Sequence, residues 1–336
     1  MAVIKAFECI RPDEKVADRV AALPYDVYNR EEALKEVERE PLSFLAIDRA
    51  ETQFDSSVDT YADCVYDKAR ELLDSRIADG TFITDTDKAY YVYELTMNGR
   101  TQTGIAVCAS IDDYNNNIIK KHENTRADKE QDRINHVDRC SAQTGPIFLA
   151  YRADEVIRNE VAKAKETKPL YSFTSPDGIR HQVYKISNAQ SVENIEKAFA
   201  GIDDIYIADG HHRAASAVKV GLKRREEHPD YTGEEEFNYF LSVVFPYDQL
   251  KILAYNRVVH DLNGMDEHAF IASLKFNFEL MIMPGFPCKP VEKHCMGMYV
   301  GGNWYHLKAW EDVYEKKDVV GPVSYTHLTL PTKLEV

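Results

Sequence analysis

Residues 205–215 read Ile-Tyr-Ile-Ala-Asp-Gly-His-His-Arg-Ala-Ala and give the strongest local signal in the chain. The apolar run at 205–208 predicts a short buried strand, and residues 214–220 predict a helix that starts at the polar turn between them. Elsewhere the predicted helices and strands alternate irregularly. The sequence therefore predicts a mixed α/β or α+β fold and not a regular doubly wound sheet.

The polar turn at 209–213 contains the parts of an anion-binding site. Gly210 permits close approach of the backbone, the helix start offers unpaired N–H groups, and Arg213 supplies a planar fork of donors. Asp209 is a candidate ligand for Mg²⁺, and the two histidines can donate to phosphate oxygens or exchange protons near neutral pH. Asp209 could instead cap the helix while its neighbours are solvated. The crowding of these residue types beside one glycine favours a functional site.

Further elements are predicted on both sides of this turn. Predicted strands lie at 3–7, 44–47, 88–95, 103–111, 147–151, 182–186, 239–245 and 250–259, and predicted helices at 58–78, 122–139, 154–167, 192–200 and 266–275. Hairpin turns are expected at Asn98-Gly99, at Pro246-Tyr247-Asp248 and at Gly301-Gly302-Asn303.

Composition argues against several classes of protein. The 336 residues are 44% hydrophobic and 29% charged, which indicates at least one sizeable core and two domains. The formal charge of −15 opposes binding to nucleic acid, which needs clustered Lys and Arg. The apolar runs are far shorter than a membrane helix, and the first residues lack a signal core. Six scattered cysteines predict free thiols, so we expect a cytoplasmic protein without a membrane partner.

A second polar segment, residues 120–133, has the composition of a site for an anionic donor. Two adjacent lysines and an arginine near carboxylates would suit anion binding and deprotonation of a hydroxyl. The alternative is a solvated helix face on which Lys129 pairs with Asp132 and Arg133 with Glu130. Taken by itself, the segment favours the solvated helix.

Two smaller features are open to two interpretations each. Pro24-Tyr25-Asp26 could line a substrate pocket or form an ordinary turn. Arg257 could reach an anion or lie at a solvated strand edge.

Six short motifs, spread over the chain, form a recognisable set. They are Pro24-Tyr25-Asp26-Val27, His122-Glu123-Asn124-Thr125, Lys129-Glu130-Gln131-Asp132-Arg133, Gly145-Pro146-Ile147-Phe148, Asp209-Gly210-His211-His212-Arg213 and Tyr255-Asn256-Arg257-Val258-Val259. Together they resemble the domain-of-unknown-function family 1015, over the chain as far as about Gly321. That family is similar to the ParB and sulfiredoxin superfamily, whose Gly-x-x-Arg phosphate motif corresponds to residues 210–213.

A sharper resemblance is to the free serine kinases of that superfamily, which pair a Pro-His-Glu segment with an Asp-Gly-His-His-Arg turn. Here His122 and Glu123 match the His-Glu pair, although Lys121 replaces the proline. The resemblance implies that Glu123 takes the place of the catalytic carboxylate and that residues 209–213 take the place of the phosphate-binding and metal-binding turn. A long insertion separates the two segments, and Asn256 stands where histidine is expected in relatives.

These observations predict a phosphotransferase that acts on the hydroxyl of a small metabolite, with free L-serine as the acceptor and O-phosphoserine as the product. Pyrophosphate or a nucleotide is the expected donor, and Mg²⁺, held by Asp209, is the expected cofactor. The predicted catalytic residues are Glu123, Asp209 and His211. The predicted phosphate-binding residues are Gly210, His212 and Arg213. The predicted substrate-binding residues are Tyr25, Asp26, His122 and Arg257.

Two other functions stay open at this point. One is a ParB-like nucleotide-binding switch or DNA-associated module, against which the acidic charge and the lack of a basic helix-turn-helix argue. The other is a metal-dependent phosphohydrolase whose ligands would be Asp209, His211 and His212, three positions that are awkwardly close in sequence.

The predicted organisation has four parts. Residues 1–113 form an N-terminal α/β region, residues 114–262 a ParB/sulfiredoxin-like catalytic core, and residues 263–323 a C-terminal α+β region. Residues 324–336 resemble a translated sequencing adapter, so we expect the natural chain to be cut short there.

Overall fold

A computed structural model of the protein describes residues 1–125, 127–251, 256–290 and 292–314. The described residues up to Lys251 form one compact unit, and those from Asn256 onward form a second. Both units combine strands with helices, which confirms the predicted mixed α/β class. No helix within these ranges is long and apolar enough to cross a membrane.

The first unit is built around one mixed sheet. Its described strands are β1 (Ile4–Lys5), β2 (Ile10–Pro12), β3 (Phe82–Thr84), β4 (Tyr90–Met97), β5 (Arg100–Ser110), β6 (Ile119–Lys120), β7 (Ile147–Tyr151), β8 (Tyr171–Thr174), β9 (Arg180–Ile186), β10 (Ile205–Asp209) and β11 (Tyr239–Pro246). In the sheet β6, β10, β7, β11, β5, β4, β9 and β8 follow one another, and β1 pairs with the last residues of β5. The sheet is mixed because β7 runs parallel to β11 and antiparallel to β10, while β2 and β3 form a separate pair.

Nine helices are described in this unit. They are α1 (Ala17–Val20), α2 (Arg30–Arg39), α3 (Leu45–Asp48), α4 (Asp63–Ala78), α5 (Ile111–Asn115), α6 (Ala127–Cys140), α7 (Glu155–Lys165), α8 (Ala189–Ala200) and α9 (His211–Glu227), with single 3₁₀ turns at Tyr25–Val27, Ala50–Gln53, Glu236–Asn238 and Tyr247–Gln249. Side-chain caps explain where two of them begin, since Asp154 accepts from the first N–H groups of α7 and Asn188 from those of α8.

Both faces of the sheet are buried at its centre. All five residues of β7 are buried. Its odd-numbered residues join a cluster that includes Phe199 of α8, and its even-numbered residues join another that includes Phe245 of β11. Since neighbouring residues of a strand face opposite sides, this double coverage explains why Ile147–Tyr151 is apolar throughout.

The sheet takes strands from both sides of residue 113. β4 and β5 come from the predicted N-terminal region, whereas β7, β10 and β11 come from the predicted core. The hairpin predicted at Asn98-Gly99 is confirmed, because β4 and β5 pair directly across these two residues and both have positive φ angles, 51° and 76°.

A small helical cluster packs beside the sheet. Val65, Ala69 and Leu73 of α4 are buried at four-residue spacing, and Cys140 at the end of α6 joins the same cluster. Arg76, also on α4, donates to the backbone carbonyls of Pro41, Leu42 and Ser43. Helix α4 therefore holds both the end of α6, through the apolar cluster, and the chain before α3, through the hydrogen bonds of Arg76.

One predicted strand is wrong. Residues Leu45–Asp48 form helix α3, where the apolar side chains reflect burial and not a strand period. The strand predicted at 250–259 is described only at its two ends. Residues 250, 251 and 256–259 lie outside helices and strands, and 252–255 lie outside the described residues.

Several predicted helices have different limits in the structure. The helices predicted to start at residues 58 and 122 begin at Asp63 and Ala127. The helix predicted at 214–220 is longer, because α9 runs from His211 to Glu227. Residues 211–213 therefore form the first turn of α9, while Asp209 ends β10 and Gly210 lies between the two elements.

The second unit contains a three-stranded antiparallel sheet. Its described elements are α10 (Glu267–Leu274), β12 (Phe278–Met283), β13 (Cys295–Val300), β14 (Asn303–Ala309) and α11 (Glu311–Tyr314). The strand order is β12-β14-β13. The hairpin predicted at Gly301-Gly302-Asn303 is confirmed by the pairing of β13 with β14.

Candidate functional site

The turn after β10 has a backbone that favours glycine. Gly210 lies between the end of β10 and the start of α9 with a left-handed φ of 91°. A Cβ atom added there would lie 3.1 Å from the guanidinium of Arg213, and few real Cβ atoms have contacts that close. Glycine is therefore favoured both by conformation and by space, and it leaves the N-terminus of α9 open to an anion.

Arg213 is held in one orientation by two acceptors. Its Nη2 donates to Oδ2 of Asp209 at 3.0 Å, and its Nη1 donates to the carbonyl of Pro146 at 2.5 Å. The Asp209 side chain is 40% exposed and that of Arg213 is 20% exposed. The fork of donors is thus fixed before a ligand arrives and still reaches solvent, which suits recognition of a phosphate.

His211 connects the turn to the segment that precedes α6. The backbone N–H of His122 lies 3.5 Å from Nε2 of His211, and the two rings meet edge to face with 4.4 Å between centroids. On the other side of the ring, Nδ1 of His211 lies 3.5 Å from Oε2 of Glu123. The fold therefore brings His122 and Glu123 to the turn.

The protonation state of His211 follows from its burial. The side chain is 4% exposed, and burial, reinforced by the neighbouring His122, lowers the pKa of His211 to about 4. The imidazole is neutral at pH 7 as a result. Since Nε2 faces an N–H donor, the proton of the neutral ring is assigned to Nδ1, on the side of the ring where Glu123 lies.

Glu123 presents an exposed carboxylate beside this buried ring. Its side chain is 60% exposed, in contrast to the buried His211. A carboxylate that reaches solvent and is oriented by a neutral histidine can accept a proton from a bound hydroxyl. The arrangement brings an exposed carboxylate next to the polar turn at 209–213.

A buried carboxylate on α6 supports the start of α9. Glu130 accepts from the Thr125 hydroxyl at 2.5 Å and from the ammonium of Lys219, and its carbonyl accepts from Ser216. Burial acts to raise the pKa of Glu130, but the bonds from Lys219 and Thr125, helped by the charge of His212, lower it overall. The carboxylate is ionised and ties the Thr125 segment to the helix that carries the turn.

Tyr25 also lies in this region of the first unit. The guanidinium of Arg133 stacks over its ring, with Cζ 4.2 Å from the ring centroid. Arg49 fixes the backbone by donating to the carbonyls of Tyr25 and Tyr28 at 3.0 and 2.6 Å. Burial raises the pKa of Tyr25, while the charges of Arg133 and Arg213 oppose that rise. The N-terminal segment therefore approaches both arginines.

The other two predicted substrate-binding residues are placed differently. Asp26 is exposed on the 3₁₀ turn that follows Pro24, next to the stacked Tyr25. Arg257 is exposed in the second unit, outside helices and strands. Their contributions to substrate binding stay predictions.

Sequence reasoning gave too little weight to Arg133 and Glu130. They were expected to pair with each other on a solvated helix face, yet Arg133 bonds with Asp132 and Glu130 bonds with Lys219. Both side chains are buried, at 8% and 6% exposure. The apolar positions of α6 are too few to show which face of the helix is covered. The sequence therefore offers only a weak signal that Arg133 and Glu130 are buried.

Asp209 has the chemistry expected of an Mg²⁺ ligand. Within the described ranges, no three His, Cys, Asp or Glu side chains are grouped as they would be around a protein-held metal. Mg²⁺, however, commonly binds through one or two carboxylates together with substrate phosphates. The exposed carboxylate of Asp209, beside the anion-binding turn, fits that mode. Two pockets of about 250 and 170 Å³ lie elsewhere in the first unit.

Comparison with known proteins gives one match. The model of a family described as protein of unknown function (DUF1015) matches residues 4–329. No curated protein and no solved structure matches the chain.

Proposed function

This chain belongs to the DUF1015 family of proteins of unknown function, and on that premise we propose that it transfers a phosphoryl group to the hydroxyl of a small metabolite. The proposed acceptor is free L-serine, which would become O-phosphoserine. The proposed donor is pyrophosphate or a nucleotide. The resemblance of the turn to the ParB/sulfiredoxin-like phosphate motif and to the free serine kinases supports this choice.

One observation carries the proposal. The chain brings the exposed carboxylate of Glu123 within 3.5 Å of His211, a residue of the anion-binding turn, although the two are far apart in sequence. Phosphoryl transfer to a hydroxyl needs a proton acceptor on one side and fixed donors for the phosphate on the other. The proximity of Glu123 to the turn supports the proposal, because it would supply both from one place in the fold.

In the proposed reaction each group has one task. The Gly210 amide, His212 and Arg213 bind the oxygens of the transferred phosphoryl group and stabilise their charge. Glu123 accepts the proton of the acceptor hydroxyl as its oxygen bonds to phosphorus and the bond to the donor's leaving oxygen breaks. The neutral His211 positions that carboxylate through its Nδ1–H group. Asp209 would hold Mg²⁺, which supplies further neutralisation of phosphate charge when it is bound.

The test is a direct assay of the protein with L-serine, Mg²⁺ and one donor at a time, namely ATP, ADP or pyrophosphate, followed by phosphorus NMR. We expect a phosphomonoester resonance that requires both serine and one of the donors. Release of orthophosphate without phosphoserine would replace the proposal with a phosphohydrolase. Binding of a nucleotide without any turnover would replace it with a nucleotide-binding switch.

A further inference from the structure

Arg133 is a buried cation with an unused donor. Its Nε and Nη2 both donate to one oxygen of Asp132, Oδ2, at 3.0 and 2.9 Å. The other oxygen of Asp132 accepts from the hydroxyl of Tyr66 at 2.9 Å, and Tyr25 covers a face of the guanidinium. Within the described residues, Nη1 of Arg133 makes no hydrogen bond. A guanidinium held this firmly, with its Nη1 group to spare, is prepared for an anionic ligand.

Asp48 supplies the opposite charge nearby. It is the last residue of α3, and its Oδ1 accepts from the hydroxyl of Thr144 at 2.8 Å. Thr144 precedes Gly145 and Pro146, and Pro146 accepts from Nη1 of Arg213. One short loop therefore connects the Asp48 carboxylate with the arginine of the phosphate turn.

Asp48 adds to the negative charge around Arg133, and the described residues show no ion pair between the two. Burial acts to lower the pKa of Arg133, but nearby negative groups, with Asp48 among them, raise it overall. His136 lies one helical turn after Arg133 on α6, and its Nε2 faces the carbonyl of Ile47, the residue before Asp48, at 3.2 Å. Its buried Nδ1 has no partner among the described residues. Burial and the charge of Arg133 lower the pKa of His136, and the charge of Asp48 opposes that effect. Besides these two opposite charges, the cluster therefore contains one buried nitrogen without a partner among the described residues, an exception among buried polar groups that a bound ligand would explain.

We propose that Arg133 and Asp48 recognise the carboxylate and the ammonium group of a free α-amino acid that serves as the phosphoryl acceptor. This proposal rests on the proposed function and names the acceptor class from residues that are not part of the phosphate turn. The α-carboxylate bonds with Nη1 of Arg133, and the α-ammonium bonds with Asp48. The loop from Thr144 to Pro146 then relates the bound amino acid to Arg213.

Both ends of the ligand are required by this geometry. A ligand that lacks one charged group would leave Arg133 or Asp48 desolvated without a partner, and hydrogen bonds to charged groups contribute roughly 1.5–3 kcal/mol each. The affinity should therefore fall at least about tenfold for loss of either group. A site that merely tolerates serine would show no such dependence.

The first experiment measures binding to the unmodified protein by calorimetry in the absence of a donor. The ligands are L-serine, 3-hydroxypropionate, which lacks the ammonium, and ethanolamine, which lacks the carboxylate. We expect serine to bind at least about tenfold more tightly than either analogue. Equal affinity for serine and for one of the analogues would overturn the proposal.

The second experiment assigns each charge to its residue. Asp48→Asn should weaken serine binding about tenfold or more and leave 3-hydroxypropionate binding unchanged. Arg133→Lys should weaken binding of serine and 3-hydroxypropionate and leave ethanolamine unchanged. Matched controls are Asp67→Asn and Arg139→Lys, an exposed ion pair on the same helices, α4 and α6, at 2.8 Å. A uniform loss for all three ligands in either site variant would show a structural role and overturn the assignment.

The outcome is independent of the phosphoryl-transfer test. Selective serine binding without turnover would contradict the proposed function and leave the amino-acid site standing. Phosphorylation of ethanolamine and 3-hydroxypropionate at the rate seen with serine would support the proposed function and overturn the amino-acid site.

Discussion

Oε2 of Glu123 lies 3.5 Å from Nδ1 of His211, so an exposed carboxylate meets a buried imidazole at the edge of the polar turn at 209–213. The carboxylate can exchange protons with a ligand, whereas the imidazole, with its pKa lowered to about 4 by burial, keeps one orientation and one charge state near pH 7. This division between a reactive and a positioning group determines which variants should lose activity and which should lose stability.

Glu123→Gln should abolish most of the turnover without unfolding the protein. The amide keeps the size of the side chain but cannot accept the hydroxyl proton, so we expect turnover to fall by roughly two to four orders of magnitude. Donor affinity and melting temperature should stay close to wild type, because the side chain is 60% exposed. Glu193→Gln, on the exposed side of α8, is the matched control. A stable and fully active Glu123→Gln protein would remove Glu123 from the mechanism.

His211 should make the stability of the protein depend on pH. Its pKa is about 4 in the folded state against 6.5 when unfolded, so the folded state binds its proton more weakly. The stability from this residue is therefore fully present above pH 6.5 and is lost as the pH falls towards 4. Urea unfolding at several pH values measures this loss. As the pH falls from 6.5 to 4, the free energy of unfolding should decrease by about 3 kcal/mol more for the wild type than for His211→Gln. Parallel curves for the two proteins would contradict this assignment.

Arg213 and His212 should matter chiefly for the donor. Arg213→Ala removes two oriented donors, and we expect donor binding to weaken by about 1.5–3 kcal/mol. Arg213→Lys keeps the charge but loses the planar fork, so its donor affinity should lie between those of the wild type and Arg213→Ala. His212→Ala should reduce donor affinity to a smaller extent. The control is Arg139→Ala, which removes an exposed arginine from the surface of α6. Wild-type donor affinity in both Ala variants of the turn would exclude this phosphate site.

Gly210→Ala should combine backbone strain with displacement of Arg213. The left-handed φ of 91° costs an L-residue about 1–2 kcal/mol of folding stability. Gly80→Ala is a useful comparison, because φ there is +81° and no atom lies within 4 Å of the added Cβ. Both variants should be destabilised in chemical denaturation, but only Gly210→Ala should also lose donor affinity. Loss of donor affinity in neither variant would indicate that Arg213 can bind from another position.

Tyr25 should act through its ring more than through its hydroxyl. The ring lies under the guanidinium of Arg133, so Tyr25→Leu should raise the acceptor KM several-fold, whereas Tyr25→Phe should change it little. Tyr231→Leu is the control, because that ring stacks with Arg225 at 4.9 Å. Steady-state kinetics with acceptor and donor varied in turn would separate the effects. Equal changes in both KM values for Tyr25→Leu would indicate a general folding defect.

Local patterns predicted much of the first unit. The apolar run at Ile147–Tyr151 is a strand as predicted, and the Asn98-Gly99 pair forms the predicted hairpin. These predictions hold because side-chain period and positive-φ turn residues act within a few residues of the chain. The strand predicted at 44–47 failed because a short apolar run is compatible with either structure, and packing against α4 decides between them.

The sequence by itself determined the local structure of the polar turn at 209–213, because strand, glycine and helix start are consecutive and need no distant partner. Only the tertiary structure decided what meets that turn. Glu123 reaches it through the packing of the segment before α6, and Arg133 is buried against Tyr25 although its sequence suggested a solvated face. The burial and the electrostatic environment of these side chains depend on which segments pack together. Such long-range contacts produce no periodic pattern in the sequence of the residues that make them.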